Sequence, residues 1–310
     1  MSRRFDGRPS VLYENRYCDQ NQFDIIIFDE CKESKDSTNS INKVESAVDK
    51  CNVVLIQMLS SRHYENTAVI SSDIFVLGAS GKKVIKTSCV NISSKSTWKK
   101  LTYLPDVFVR VNFSVCSFMK SLYLIGGYVD DYMYSKRCYK YEINHNKWTK
   151  IADLNIDRCE SACAVFEGKL VTTGGYRYSG RTKSAESYDH HENKWSNLPD
   201  MIGWRSDHSS FSMGKKLFVI GGYSNVDAEV FDSISRKFTL FNLKRPCRNQ
   251  FLCNCETINI CRKMFVFCSC SSNSQPKLHV YNVDEKRWLS EEMVKSVCFS
   301  KPNIHKVPKQ

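Results

Sequence analysis

The chain has 310 residues and carries 45 Lys and Arg against 33 Asp and Glu, a formal net charge of +12. At 42% hydrophobic, 25% charged and 12% aromatic it has an ordinary globular balance, with ample material for a core and a bias toward β-structure built on large rings. Its longest apolar runs, such as 53–59 and 217–220, are strand-length and far short of the roughly 20 residues of a spanning helix, so no membrane segment is expected.

The opening MSRRFDGRPS has basic residues with no apolar stretch behind them, unlike a secretory signal, and residues 1–21 read as a linker. The chain is therefore expected in the cytoplasm, its 15 cysteines being reduced thiols without structural disulfides.

From residue 22 a unit near 48 residues long recurs. The segments DIIIFDE (24–30), SDIFVLGAS (72–80), KSLYLIGGY (120–128), GKLVTTGGY (168–176), KKLFVIGGY (215–223) and RKMFVFCSC (262–270) each place a β-rich run before a short or bendable pair. The first members of those pairs, Asp29, Gly78, Gly126, Gly174, Gly221 and Cys268, are spaced 49, 48, 48, 47 and 47 apart. A fixed period of this size marks a repeat architecture, here of six units.

Two further marks share the period. An aromatic precedes another by seven residues at Tyr141 and Trp148, Tyr188 and Trp195, Phe231 and Phe238, and Tyr281 and Trp288. Trp98 stands in the second unit with Asn91 in its partner's place, and the first unit has only aliphatics there. Arg62, Arg110, Arg158 and Arg205 each lie 16 residues before the glycine-pair position, while Arg248 lies 20 before Cys268.

Within the unit 158–204 the pattern predicts strands at 161–166, 169–173, 184–189 and 194–197, with turns at Glu167–Gly168 and at 191–193. Short strands between turn signals make a four-stranded antiparallel sheet. Such a sheet cannot bury both faces alone, so neighbours must stack, and radial stacking leaves only short edges. The expected fold is all-β: a six-bladed β-propeller over 22–300, with blades near 22–61, 62–109, 110–157, 158–204, 205–247 and 248–300, and a tail at 301–310. Glycine suits the crowded bend, and the paired aromatics suit the wedge between blades.

The apolar run, Gly-Gly-Tyr and Tyr-x6-Trp at this period resemble the kelch repeat, most closely over 110–243. Residues 22–300 resemble the six-blade half of kelch-like proteins, in which a last short strand completes the first blade; 294–300 (VKSVCFS) matches it. The resemblance implies a non-catalytic protein-recognition module, similar to the substrate-binding part of adaptors for cullin-RING ubiquitin ligases. The BTB and BACK domains that usually precede it are not expected in residues 1–21, so any cullin would be met only indirectly. An actin-binding, cytoskeleton-associated kelch protein is the alternative.

In that family, guest proteins sit on the loops after the glycine pair and on those leading into the next blade. Mapped onto this chain, the position after Gly-Gly is Tyr128, Tyr176 and Tyr223. Tyrosines supply large contact area at small entropic cost, although the rings could equally pack the bend. The adjoining loops offer Asp130, Asp131, Tyr132 and Tyr134; Arg177, Tyr178, Arg181 and Lys183; and Asn225. Arg158 and Arg205 could grip a guest's carboxylates bidentately or hold each blade together.

Other chemistry finds little support. Cys247, Cys253, Cys255, Cys261, Cys268 and Cys270 include C-x-C pairs, but zinc sites favour Cys-x2–4-Cys, and the cysteines are expected to pack the sixth blade. His190 and His191 lack metal-site spacing. A copper-radical oxidase would need His, Tyr and Cys converging, and nothing singles out that set. Basic and acidic residues are interleaved, so no nucleic acid, cofactor or metal is expected, and the implied partner is a protein.

Overall fold

The computed structural model describes residues 112–129, 133–224 and 228–243 continuously, together with stretches at 10–12, 23–30, 41–45, 51–58, 66–70, 73–79, 83–88, 99–105, 255–260, 263–268 and 277–288. Among these the chain is all-β. Strands gather into four-stranded sheets, and the helical content is one 3-10 turn, Ile143–His145. No described helix is long and apolar enough to cross a membrane.

The fourth sheet shows how the pattern folds. Ala162–Phe166, Lys169–Thr173, Ala185–Asp189 and Lys194–Leu198 pair antiparallel in chain order. Glu167 and Gly168 turn the first hairpin at positive φ, and Asn193 turns the last one. The third sheet (Ser114–Phe118, Ser121–Ile125, Cys138–Glu142, Lys147–Ile151) and the fifth (Ser209–Met213, Lys216–Ile220, Ala228–Asp232, Lys237–Leu240) repeat this order. So do the second (Asn66–Ile70, Asp73–Ala79, Lys83–Ser88, Lys99–Tyr103) and the sixth (Cys255–Ile260, Lys263–Cys268, Lys277–Asn282, Arg287–Trp288).

The first unit departs from the expected antiparallel blade. Its strands lie in the order Ser10–Leu12, Phe23–Glu30, Cys51–Met58, Ile41–Glu45, and Phe23–Glu30 runs parallel to Cys51–Met58. Asp29 and Glu30 stand where the third, fourth and fifth units have two glycines, and the strand continues through them instead of ending in a bend. One edge of Phe23–Glu30 is taken by Ser10–Leu12, and the expected closing segment 294–300 lies outside the described residues.

The aromatic marks become cross-strand neighbours. Tyr141 faces Trp148, Tyr188 faces Trp195, Phe231 faces Phe238 and Tyr281 faces Trp288, with ring centroids 5.0, 5.1, 5.0 and 5.2 Å apart. The first three pairs are tilted and the fourth is edge-on, and they sit in apolar clusters between successive sheets. Tyr188 and Trp195 of the fourth sheet pack with Tyr123, Ile125 and Ile151 of the third, and Phe231 and Phe238 of the fifth pack with Ala164 and Val171 of the fourth. The core is thus distributed as seams, which is why one sheet is unstable alone.

The first strands also lie side by side: Asn66–Ile70 beside Ser114–Phe118, then Ala162–Phe166, then Ser209–Met213, then Cys255–Ile260. Hydroxyl pairs stitch these seams, Ser114 Oγ lying 2.8 Å from Ser161 Oγ and Ser209 Oγ lying 2.6 Å from Thr257 Oγ1.

Candidate functional site

The glycine pairs and the arginines prove to be two halves of one bolt. Gly127 N donates to Arg158 O at 2.9 Å and Gly175 N donates to Arg205 O at 2.8 Å, so each pair is pressed against the backbone of the next unit's arginine. A Cβ on Gly175, whose φ is +108°, would sit 2.7 Å from Cys159 O, which is why a side chain is excluded there.

Each arginine side chain then turns back into its own sheet. Arg158 Nη1 donates to Gly174 O at 2.6 Å and to Ser184 O at 3.1 Å, and its Nη2 reaches Glu186 Oε1 at 2.6 Å. Arg205 Nη1 donates to Gly221 O at 2.8 Å and its Nη2 reaches Glu229 Oε1 at 2.8 Å. All four charged side chains are 0% exposed. Glu186 also accepts from the N–H groups of Asn155 and Ile156, and Glu229 from those of Ile202 and Gly203, so each buried carboxylate is saturated. The suggestion that Arg158 and Arg205 grip a guest is therefore corrected: desolvated, with both Nη atoms bonded within the protein, they join adjacent sheets. Arg62 and Arg110 lie outside the described residues.

The glycine bends launch short hairpins on which most of the candidate residues sit. Tyr128–Val129 pairs with Met133–Tyr134, and Tyr176–Arg177 pairs with Gly180–Arg181. Tyr128 OH donates to Tyr134 OH at 3.3 Å, and their rings are 4.9 Å apart. Tyr134 lies 6.1 Å from Tyr176, so the two hairpins touch. Burial and the bond to Tyr134 push the Tyr128 phenol well above its usual range, and burial does the same to the Cys159 thiol beneath it. Tyr128 is half-buried and braces the hairpin, in keeping with the packing alternative.

The second hairpin is open to solvent. Tyr178 at its tip is 91% exposed, and Arg177 pairs with Asp157 at 3.4 Å. The Arg181 guanidinium lies 5.7 Å from the Tyr176 ring, 5.4 Å from Trp204 and 5.1 Å from Tyr223, and its Nε donates to Ser206 Oγ at 3.3 Å. Trp204 and Tyr223 are 41% and 44% exposed, an unusual display for such rings. Tyr223–Ser224 pairs with Arg205–Ser206, which fixes Tyr223 beside this cluster. A cation ringed by three aromatics on rigid strand ends offers flat apolar contact and directed hydrogen bonding together.

Asp130, Asp131, Tyr132 and Asn225 lie outside the described residues. Sequence reasoning missed Trp204, although its place just ahead of Arg205, on the connection into the next unit, was the available signal. Cys255 and Cys268 face one another in the sixth sheet's backbone register. Cys247, Cys253, Cys261 and Cys270 are outside the described residues.

Stacked four-stranded sheets with hairpins at one set of bends define a β-propeller that presents a protein-interaction surface. Residues 64–267 match the KLHDC2/KLHL20/DRC7 Kelch-repeats domain, and the chain belongs to the kelch-repeat family. It is 33% identical to Kelch-like protein 41b of Danio rerio over 116 residues, 37% of this chain and 19% of that protein. It is likewise 33% identical to Kelch-like protein 24 of Homo sapiens over 89 residues, 29% of this chain and 14% of that protein. The matches thus span less than a fifth of either relative. The solved structure of YjhT shares the fold, at TM-score 0.61 and 13% identity over 73% of this chain and 82% of that one.

Proposed function

We propose that the chain closes into a six-bladed ring whose hairpin face holds another protein, without catalysis, as the substrate-recognition part of a cullin-RING ubiquitin ligase assembly. The contact of Ser10–Leu12 with both Asn66–Ile70 and Cys255–Ile260 supports closure at the two chain ends. Two relatives named as Kelch-like proteins support the recognition role. The observation that carries it is the exposed cluster of Tyr176, Arg181, Trp204 and Tyr223 beside Tyr178. In this reading the protein works in the cytoplasm and meets the cullin through a bridging partner.

The test is affinity capture from the native cell with wild type beside the double variant W204A/Y223A, both checked for a native melting profile. Guests present with wild type and lost with the variant, accompanied by a cullin, are the expected result; an unchanged guest set sinks the hairpin face as the site. A second reading, binding to actin filaments, draws on the net charge of +12. It requires co-sedimentation that weakens as salt rises, and no pelleting at low salt removes it.

A further inference from the structure

The seam between the third and fourth sheets carries a pair of facing thiols. Ser114–Phe118 and Ala162–Phe166 lie side by side, and positions one repeat apart meet across the gap: Ser114 Oγ is 2.5 Å from Ser161 O and 2.8 Å from Ser161 Oγ. Residues i and i+2 of a strand share a face, so the next pair along is Cys116 and Cys163. The two side chains pack into the same cluster of this seam, and Cys116 Sγ also contacts Ser117 O at 3.8 Å. Both are free and partly exposed. At the following seam the residue one repeat beyond Cys163 is Ser210, whose hydroxyl lies 2.8 Å from Thr173 Oγ1, so the coincidence of thiols belongs to this one interface among the described residues.

We propose that Cys116 and Cys163 form a redox-responsive dithiol that closes into a disulfide across the seam when the chain meets hydrogen peroxide. One thiol, as thiolate, attacks the peroxide, breaks the O–O bond and becomes a sulfenic acid with release of water. The second sulfur attacks the first, forming S–S and expelling a second water. Two thiols are thereby oxidised by two electrons, one peroxide is reduced, and both thiol protons leave in the waters. Cys116 and burial push the Cys163 thiol up, which makes Cys163 the poorer nucleophile and gives it the part of the second, resolving sulfur. The bond would close a loop of 48 residues, one whole repeat, and so tie one sheet to the next.

The full chain, treated with hydrogen peroxide, alkylated without reductant and digested, should yield a peptide pair linked through Cys116 and Cys163 that separates with dithiothreitol. Closure of a loop this long should raise Tm by about 5 °C or more, reversed by reductant and missing in C116S and C163S. C138S should keep both the link and the Tm rise. Recovery of Cys116 and Cys163 as separate alkylated or sulfinic peptides, or linkage of either to Cys138, overturns the proposal. The peptide map of the wild-type chain decides the matter even if a serine variant folds poorly.

Discussion

The third and fourth sheets follow one template yet settle its charged position differently. Two residues ahead of the first aromatic, the fourth sheet has Glu186 and the fifth Glu229, whereas the third has Tyr139 and the sixth His279. Glu186 is sealed against Arg158 and two backbone N–H groups, while Tyr139 packs at the edge of an apolar cluster with Leu122 and Leu124. The tryptophans diverge as well: Trp195 is 3% exposed and its Nε1 donates to Ala152 O at 3.0 Å, but the buried Nε1 of Trp148 has no hydrogen-bond acceptor among the described residues. The repeat thus specifies where a side chain stands, and its neighbours decide what it does there. A buried charge survives only where every donor it needs converges on it.

That contrast can be broken most severely at the bolt. Arg158→Ala removes four hydrogen bonds and strands Glu186, and should cost at the upper end of the roughly 3–5 kcal/mol seen when one partner of a buried pair is lost, read as a fall in the denaturant midpoint. Trp195→Ala should follow at about 3–4 kcal/mol, whereas Trp148→Ala, which forfeits no hydrogen bond, should cost at least ~1 kcal/mol less in the same assay. Equal losses for the two tryptophans would erase the distinction between the sheets.

Acid should sharpen it next. His208 is held neutral because burial, then Arg205 and Arg158, depress its pKa well below 6.5. The unfolded chain takes up this proton first, so the folded state loses stability as pH falls below 6.5 toward the depressed value. His208→Gln should flatten the decline of Tm between pH 7 and 5; an unchanged slope assigns it to other groups. Smallest of all, Tyr178→Ala should shift stability by less than about 0.5 kcal/mol while weakening guest capture, since this ring stands almost wholly in solvent.

Much of the fold was legible because strand and turn signals act locally. The strands read at 161–166 and 169–173 fall within a residue of Ala162–Phe166 and Lys169–Thr173, and a spacing of seven between aromatics is what a tight antiparallel turn needs to set two rings opposite each other. The first unit was misread because it lacks the glycines and rings that enforce that geometry, leaving its pairing to non-local partners. The candidate site was half legible: Tyr176 and Tyr223, read as candidates after the glycine pair, stand in the exposed cluster, whereas Trp204 was not read, for it carries no repeat signature of its own.

From its order of residues alone this protein has its repeat length, its bends and its facing rings, all consequences of contacts a few residues apart. The fate of Arg158 and Arg205 was settled only in three dimensions. Their carboxylates arrive from 28 and 24 residues away, and water leaves the pair only when the next sheet closes over it.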